Sequence, residues 1–182
     1  MSVEKRGVRH RLTSILGGLV VVGLLFLVVA PETVWLSAGT EPVGQRKPLS
    51  ELKLPDLGGR EWKLSERRGK VVLVNLWATW CPPCREETPL LVRLSKDYKA
   101  KGLEVVGVSL DQGGKGVIEE FVAEYEVPYP ILLPVPGSAI TRIEPIPTTL
   151  LVDRQGRLAK KYVGAVPESV IKTDVESLLA ER

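Results

Sequence analysis

The chain has 182 residues, 44% hydrophobic and 26% charged, values ordinary for one compact domain with short attachments and foreign to a disordered or collagen-like chain or a multidomain enzyme. Its net charge of +3 comes wholly from residues 1–11, where Lys5, Arg6, Arg9 and Arg11 outweigh Glu4. Residues 31–182 balance 21 basic against 21 acidic side chains, and a neutral domain without a basic stripe excludes nucleic acid as a partner.

From Leu12 to Ala30 the chain runs 19 residues without a charge. As a helix these span roughly 29 Å, against a hydrocarbon core of about 30 Å. A cleaved signal peptide competes with an anchor. The stretch exceeds the ~7–15 apolar residues usual for a signal peptide, and Val28-Val29-Ala30 before Pro31 is a poor cleavage site, as is Leu36-Ser37-Ala38. The segment therefore reads as an uncleaved transmembrane signal anchor. Residues 1–11 form a basic tail that stays cytoplasmic by the positive-inside rule, which delivers the domain to the periplasmic or extracytoplasmic side, where disulfides persist. Residues 31–48 read as a linker, small, polar and proline-containing beyond Trp35.

The domain proper begins near residue 49. Gly58-Gly59 between LSELKL and REWKL marks a β-hairpin, and Ser65 to Gly69 one helical turn. Lys70–Ala78 (KVVLVNLWA) has the pattern of a strand buried on both faces. Pro82–Ala100 carries Leu90, Leu91, Leu94 and Tyr98 at helical spacing. Leu103–Leu110 is a second buried strand, Gly116–Glu126 a second helix, Tyr129–Leu133 a short strand and Ser138–Glu144 a short helix. Thr148–Asp153, a turn at Arg154–Arg157, and Leu158–Gly164 form a strand–turn–strand, and Glu168–Leu179 closes the chain as an amphipathic helix. This order predicts an α/β domain over 49–182: a central mixed sheet with helices on both faces, led by an N-terminal hairpin.

The one histidine, His10, lies in the basic tail, which removes His-dependent nucleophiles and histidine metal sites from the domain. The two cysteines stand in Trp80-Cys81-Pro82-Pro83-Cys84, between a buried strand and a helix. Thiolate chemistry requires a lowered thiol pKa. A helix N-terminus supplies that through free N–H groups and the positive end of the dipole, and Pro82 suits the first helical position. Cys84, one turn on, is close enough to close a small disulfide ring. The competing readings are an inert disulfide at a strand–helix junction and a zinc site, for which the other ligands are missing.

VNLWATWCPPC, then Glu87 and Pro89, then IPTTLLVDRQGRL, resemble the thioredoxin superfamily, specifically its membrane-anchored TlpA/ResA-like thiol-disulfide oxidoreductases, over roughly residues 49–182. The resemblance implies a thioredoxin-like three-layer fold and an enzyme without cofactor or metal. It implies that Cys81 is the exposed nucleophile that attacks a client disulfide and that Cys84 resolves the mixed disulfide. It also implies that Ile146-Pro147 is a cis peptide bond, with Pro147 facing the cysteines and backbone near Ile146 pairing with the substrate chain. Trp80, beside Cys81, reads as substrate-contacting surface together with Pro82 and Pro83, and Trp77 as core.

One departure is informative. Cytoplasmic thioredoxins have a buried Asp six residues before the first cysteine, and here that position is Asn75. The TlpA/ResA-like branch places a Glu three residues after the second cysteine, which is Glu87. Residues three apart share a helix face, so Glu87, its pKa raised by burial, is expected to take the proton of Cys84. Glu86 reads as a solvated first-turn acid, and Glu87 has the same alternative. Pro89 is expected to kink the helix.

The resemblance implies a reductase of protein disulfides, similar to proteins that keep apocytochrome c cysteines reduced and draw electrons from an integral-membrane thiol donor. The same chemistry reversed would make a disulfide-donating oxidase. A thioredoxin-fold copper chaperone would want a distal histidine that this domain lacks, and a peroxiredoxin-like peroxidase a Thr-x-x-Cys pocket.

Overall fold

Why the cysteine motif sits where it does follows from the strand that leads into it. The structure, a computed structural model of the chain, describes residues 39–135, 138, 140 and 145–181. The Leu12–Ala30 span, the basic tail and residues 31–38 lie outside the described residues, as does the Ser138–Glu144 helix apart from Ser138 and Ile140. Among the described residues no helix is long and apolar enough to cross a membrane.

Strands β1 (Lys53–Pro55) and β2 (Glu61–Lys63) form the expected hairpin, with Leu54 opposite Trp62, followed by a 3-10 turn at Leu64–Arg67. The run after Lys70 becomes β3 (Val71–Trp77), buried at every position. Then come α1 (Pro82–Tyr98), β4 (Leu103–Ser109), α2 (Lys115–Glu124), β5 (Ile131–Leu132), β6 (Thr148–Val152), β7 (Leu158–Val163) and α3 (Glu168–Ala180). The sheet order is β5-β4-β3-β6-β7; β3, β4 and β5 run parallel, and β6 and β7 are antiparallel additions. This is the expected mixed sheet, with β3 at its centre.

Of the helices expected on both faces, the three α-helices described lie on one, and Ile140 of the expected Ser138–Glu144 helix packs on the other. Leu90, Leu91 and Leu94 of α1 and Ile171, Val175 and Leu178 of α3 pack with Val71, Leu73, Val105 and Leu151. Ile118 and Phe121 of α2 pack with Trp77 and Ile131, which belong to the same sheet face by register. All three described α-helices therefore share one face. The β3–α1–β4 and β4–α2–β5 crossovers advance in the same direction, and right-handed connections then place both helices on the same side. On the other face Val72, Val74, Leu76, Val106 and Val108 are covered by Leu54 and Trp62 of the hairpin, Leu64 and Ile140.

Both sheet edges are closed. Along β5 the hairpin bonds through Leu57 N to Ile131 O (3.0 Å) and Leu133 N to Pro55 O (2.9 Å). Along β7 the cover is residues 39–49, most of which read as free linker in the sequence. Glu41 N donates to Ala159 O (2.8 Å), Leu158 N to Lys47 O (2.9 Å) and Leu49 N to Gly156 O (3.1 Å). A covered edge cannot template pairing with another chain.

Arg46 pins this segment. Its side chain is only 2% exposed. It binds Glu181 through both terminal nitrogens (2.6 and 2.7 Å), Asp153 at 3.3 Å and the Glu41 carbonyl at 2.7 Å. The hydrogen bonding of its N–H groups to Glu181 outweighs burial and holds the guanidinium above its ordinary pKa. Asp153 keeps Arg157 and two backbone N–H groups if Arg46 is lost. Arg46→Met should thus cost roughly 2 kcal/mol, below the ~3–5 kcal/mol of a stranded buried charge. Chemical denaturation measures this, and hydrogen exchange should show faster labelling of the Glu41, Leu49 and Leu158 N–H groups as the segment lifts from the edge.

Candidate active site

The motif occupies the strand-to-helix junction that the sequence pointed to. Cys81 is the N-cap of α1, with Pro82 and Pro83 in the first helical positions. Its sulfur accepts a hydrogen bond from Cys84 N at 3.3 Å, so one of the otherwise orphaned N–H groups of the first turn is aimed at it. The two cysteines form a disulfide, Cα to Cα 5.3 Å. Pro82 and Pro83 are exposed, as is Glu86, while Trp80 is 66% exposed.

Cys81 is not exposed in this disulfide form. It retains 3% of its surface, as does Cys84, because both sulfurs join an apolar cluster with Trp77, Ala78, Ile118, Phe121 and Ile131. The expectation of an exposed first cysteine ignored α2, whose packing against the end of β3 supplies much of that cover. Trp77 is core, as expected. Its indole lies over Gly107 of β4, where an added Cβ would come within 2.8 Å of both Trp77 Nε1 and Ile131 Cδ1.

The approach to Cys81 is held by groups the sequence reading missed. Asp111, just beyond β4, accepts from Thr79 N (3.0 Å) and Thr79 Oγ1 (2.6 Å). Ser109 Oγ donates to Asp111 at 2.8 Å. These bonds tie the Thr79–Trp80 turn to the neighbouring strand. Arg85 lies 5.2 Å from the Phe121 ring and 5.3 Å from that of Tyr125, and pairs with Glu124 at 3.0 Å. Its charge is thereby held on α2.

Glu87 is buried, 5% exposed, one turn after Cys84 on the inward side of α1. Asn75 of β3 donates through Nδ2 to Glu87 Oε1 at 2.7 Å and to Thr149 Oγ1 of β6 at 3.0 Å; Asn75 and Thr149 are cross-strand partners. Burial raises the Glu87 pKa from 4.5 to about 7. The Val166 backbone, Asn75 and Thr149 favour the anion and pull the other way, yet none closes a hydrogen bond on Oε2. The solvated reading therefore fits Glu86, not Glu87. Pro89 sits within α1 on its exposed side, where the missing N–H takes one bond from the helical ladder.

The Ile146-Pro147 bond is cis, as the resemblance implied. Pro147 is buried directly before β6. The register of Leu76 against Thr148 puts it at the end of the sheet where β3 leads into the cysteines. Ile146 packs on the apolar cluster that holds Cys81 and Cys84. The structure thus gathers Trp80, Cys81, Pro82, Pro83, Cys84, Glu87, Ile146 and Pro147 at one end of the sheet. Among the described residues no group of three or more His, Cys, Asp or Glu side chains is placed to hold a metal.

A dithiol pair at a helix N-terminus beside a buried carboxyl of near-neutral pKa can exchange disulfides and manage the proton. Comparisons with known proteins agree. The Redoxin family model matches residues 42–179. The thiol-disulfide oxidoreductase ResA of Bacillus subtilis (strain 168) is 32% identical over 136 residues, 74% of this chain and 75% of the relative. ResA of Geobacillus thermodenitrificans is 32% identical over 164 residues, 87% and 92% of the two chains. Among solved structures, a DsbF homologue from Corynebacterium diphtheriae superposes with a TM-score of 0.70 at 26% identity, covering 82% of this chain and 96% of that one.

Proposed function

The chain belongs to the redoxin family and is a thiol-disulfide oxidoreductase of the ResA-like type, and from that premise we propose that it works as a reductase of protein disulfides on the extracytoplasmic side of a membrane. The observation that carries the reading is Glu87, buried on the same helix face as Cys84 with its pKa raised to about 7.

In the reduced protein the Cys81 thiolate, favoured by the α1 N-terminus, attacks one sulfur of a client disulfide. That bond breaks, a Cys81–client disulfide forms, and the departing client thiolate takes a proton from water. Cys84 then passes its proton to Glu87 and attacks Cys81 Sγ. The mixed disulfide breaks, and the second client sulfur leaves as a thiolate that takes back the proton from Glu87. The client has gained two electrons, and the protein ends in the Cys81–Cys84 disulfide form. A dithiol donor restores it by the same exchange, and an integral-membrane thiol carrier suits a chain anchored through residues 12–30. Backbone near Ile146 is the docking strand: among the described residues its N–H and C=O have no backbone partner, so an extended client segment can pair there. Trp80 offers its exposed ring at the same end of the sheet, with Pro82 and Pro83 completing the surface. The ResA relatives support apocytochrome c as a client whose haem-site cysteines must stay reduced.

The reduction potential of the Cys81–Cys84 pair, measured on the full chain in detergent against thiol–disulfide buffers, tests the direction. A value at or below about −220 mV is expected of a reductase. A value near about −120 mV would make the protein an oxidant that donates disulfides. One feature favours that second reading: the N–H aimed at Cys81 Sγ stabilises the thiolate, hence the reduced form.

A further inference from the structure

The Asn75 side chain does more than fill the position where cytoplasmic thioredoxins carry a carboxyl. Its Nδ2 has two N–H groups, and both are used: one on Glu87 Oε1 (2.7 Å), one on Thr149 Oγ1 (3.0 Å). Asn75 and Thr149 are buried, on adjacent central strands that cannot shift independently. With Glu87 ionised, turning the amide over would set Asn75 Oδ1 against Glu87 Oε1, two acceptors face to face, and would strip both N–H groups of these partners. The ionised carboxyl is therefore met by the amide donors on Oε1, leaving Oε2 buried and without a hydrogen bond to receive the incoming proton.

An N–H donor can serve Oε1 whether the carboxyl is ionised or neutral, provided the proton of the neutral form is on the other oxygen. We propose that Asn75 is a positioning residue that confines the exchangeable proton of Glu87 to Oε2, with Thr149 fixing the amide that does so. Every proton Glu87 takes up or gives back then passes through a single oxygen, the one without a hydrogen bond, and each transfer from Cys84 ends in the same protonated form. A carboxyl at position 75, as in cytoplasmic thioredoxins, would compete for that proton, since two adjacent carboxyls share one. The titratable groups around Glu87 are Cys84 on its own helix, with Cys81 bonded to it, and Tyr129, ahead of β5, whose phenol is held neutral by burial and by the charge of Glu87.

The inference rests on the reading of Glu87 as the proton acceptor for Cys84, and its test separates the two. Infrared difference spectra of the full chain in detergent, kept in the disulfide form and recorded across pH 5 to 9, give the C=O stretch of protonated Glu87, identified by its loss in Glu87→Gln. With the proton on Oε2, the carbonyl oxygen is Oε1 and Asn75 lowers its frequency. In Asn75→Ala the band should move up, and the pH at which it vanishes should rise by about one unit, because the anion has lost a charge-assisted hydrogen bond. A band whose frequency ignores Asn75→Ala means that the carbonyl is Oε2, and overturns the proposal. If Asn75→Ala does not fold, Thr149→Val decides: both shifts should appear in the same direction and smaller, and their absence overturns it. If the band behaves as expected while the pH profile of mixed-disulfide release is unmoved in Asn75→Ala, the hold on Glu87 stands and the role of Glu87 as acceptor fails.

Discussion

Cys84→Ala should convert the protein into a trap. It is expected to attack a client disulfide through Cys81 and then stall, accumulating one covalent client per chain, with turnover lowered on the order of 10³-fold or more. Cys81→Ala should lose as much turnover and trap nothing. The asymmetry follows from the local geometry: only Cys81 is the N-cap with the Cys84 N–H on its sulfur, whereas Cys84 lies a turn into α1 and meets the mixed disulfide from behind. Non-reducing electrophoresis with a disulfide-bonded client peptide reads both results. Equal trapping by the two variants would remove the assignment of roles. Folding should survive in either case, since a bridge across so short a loop contributes only about 2 kcal/mol by chain entropy.

Glu87→Gln should make the domain more stable at pH 8 and slower at its task. The folded-state pKa is raised to about 7 from an ordinary 4.5. For a group raised on folding, the stabilisation is complete below pH 4.5 and is lost as the pH climbs through 7; the difference is about 3 kcal/mol. A glutamine never ionises. The variant should therefore unfold at higher urea than the wild type at pH 8, by about 2 kcal/mol once its poorly paired amide is discounted, and close to the wild type at pH 5. Release of the mixed disulfide should show the opposite trend. In the wild type it rises with pH through about 7 as Glu87 becomes the base. In the variant it should be slower by about 10²-fold at neutral pH, catching up only at alkaline pH, where a thiol ionises without a base beside it. A variant that matches the wild-type release rate at pH 7 would leave Glu87 without a part in the chemistry. The carboxylate thus costs stability where it serves function, a common cost at active sites.

Much of this was legible in the sequence because the signals are local. A near-continuous apolar run of this length has the pattern of a strand buried on both faces, and VVLVNLW, broken only by Asn75, is one. Proline in the first helical positions and cysteine just before them mark a helix start, which fixes Cys81 as the N-cap. The three-residue spacing from Cys84 puts Glu87 on the inward face. The cis Ile146-Pro147 bond was legible only through resemblance, since local energetics alone favour trans.

Other features were hidden because their partners are remote in sequence. Arg46 stands in a stretch whose composition is that of a free tether; it is buried only because Asp153 and Glu181 converge on it from more than a hundred residues away. Asp111 looks like any acid ending a strand until β4 is laid beside β3 and its carboxylate meets Thr79.

By itself, the sequence determined the chemistry and the framework of this protein: two cysteines at a helix start, a carboxyl one turn further, and a central strand to carry them. Each of these depends on residues close together in the chain, where backbone geometry dictates relative position. The tertiary structure alone decided what surrounds them. The handedness of two crossovers put α1 and α2 on the same face, where α2 helps cover the disulfide. The register of β3 with β6 set Thr149 beside Asn75, and with it the grip on one oxygen of Glu87. Those outcomes depend on which distant segments pack together, and no local spacing encodes that.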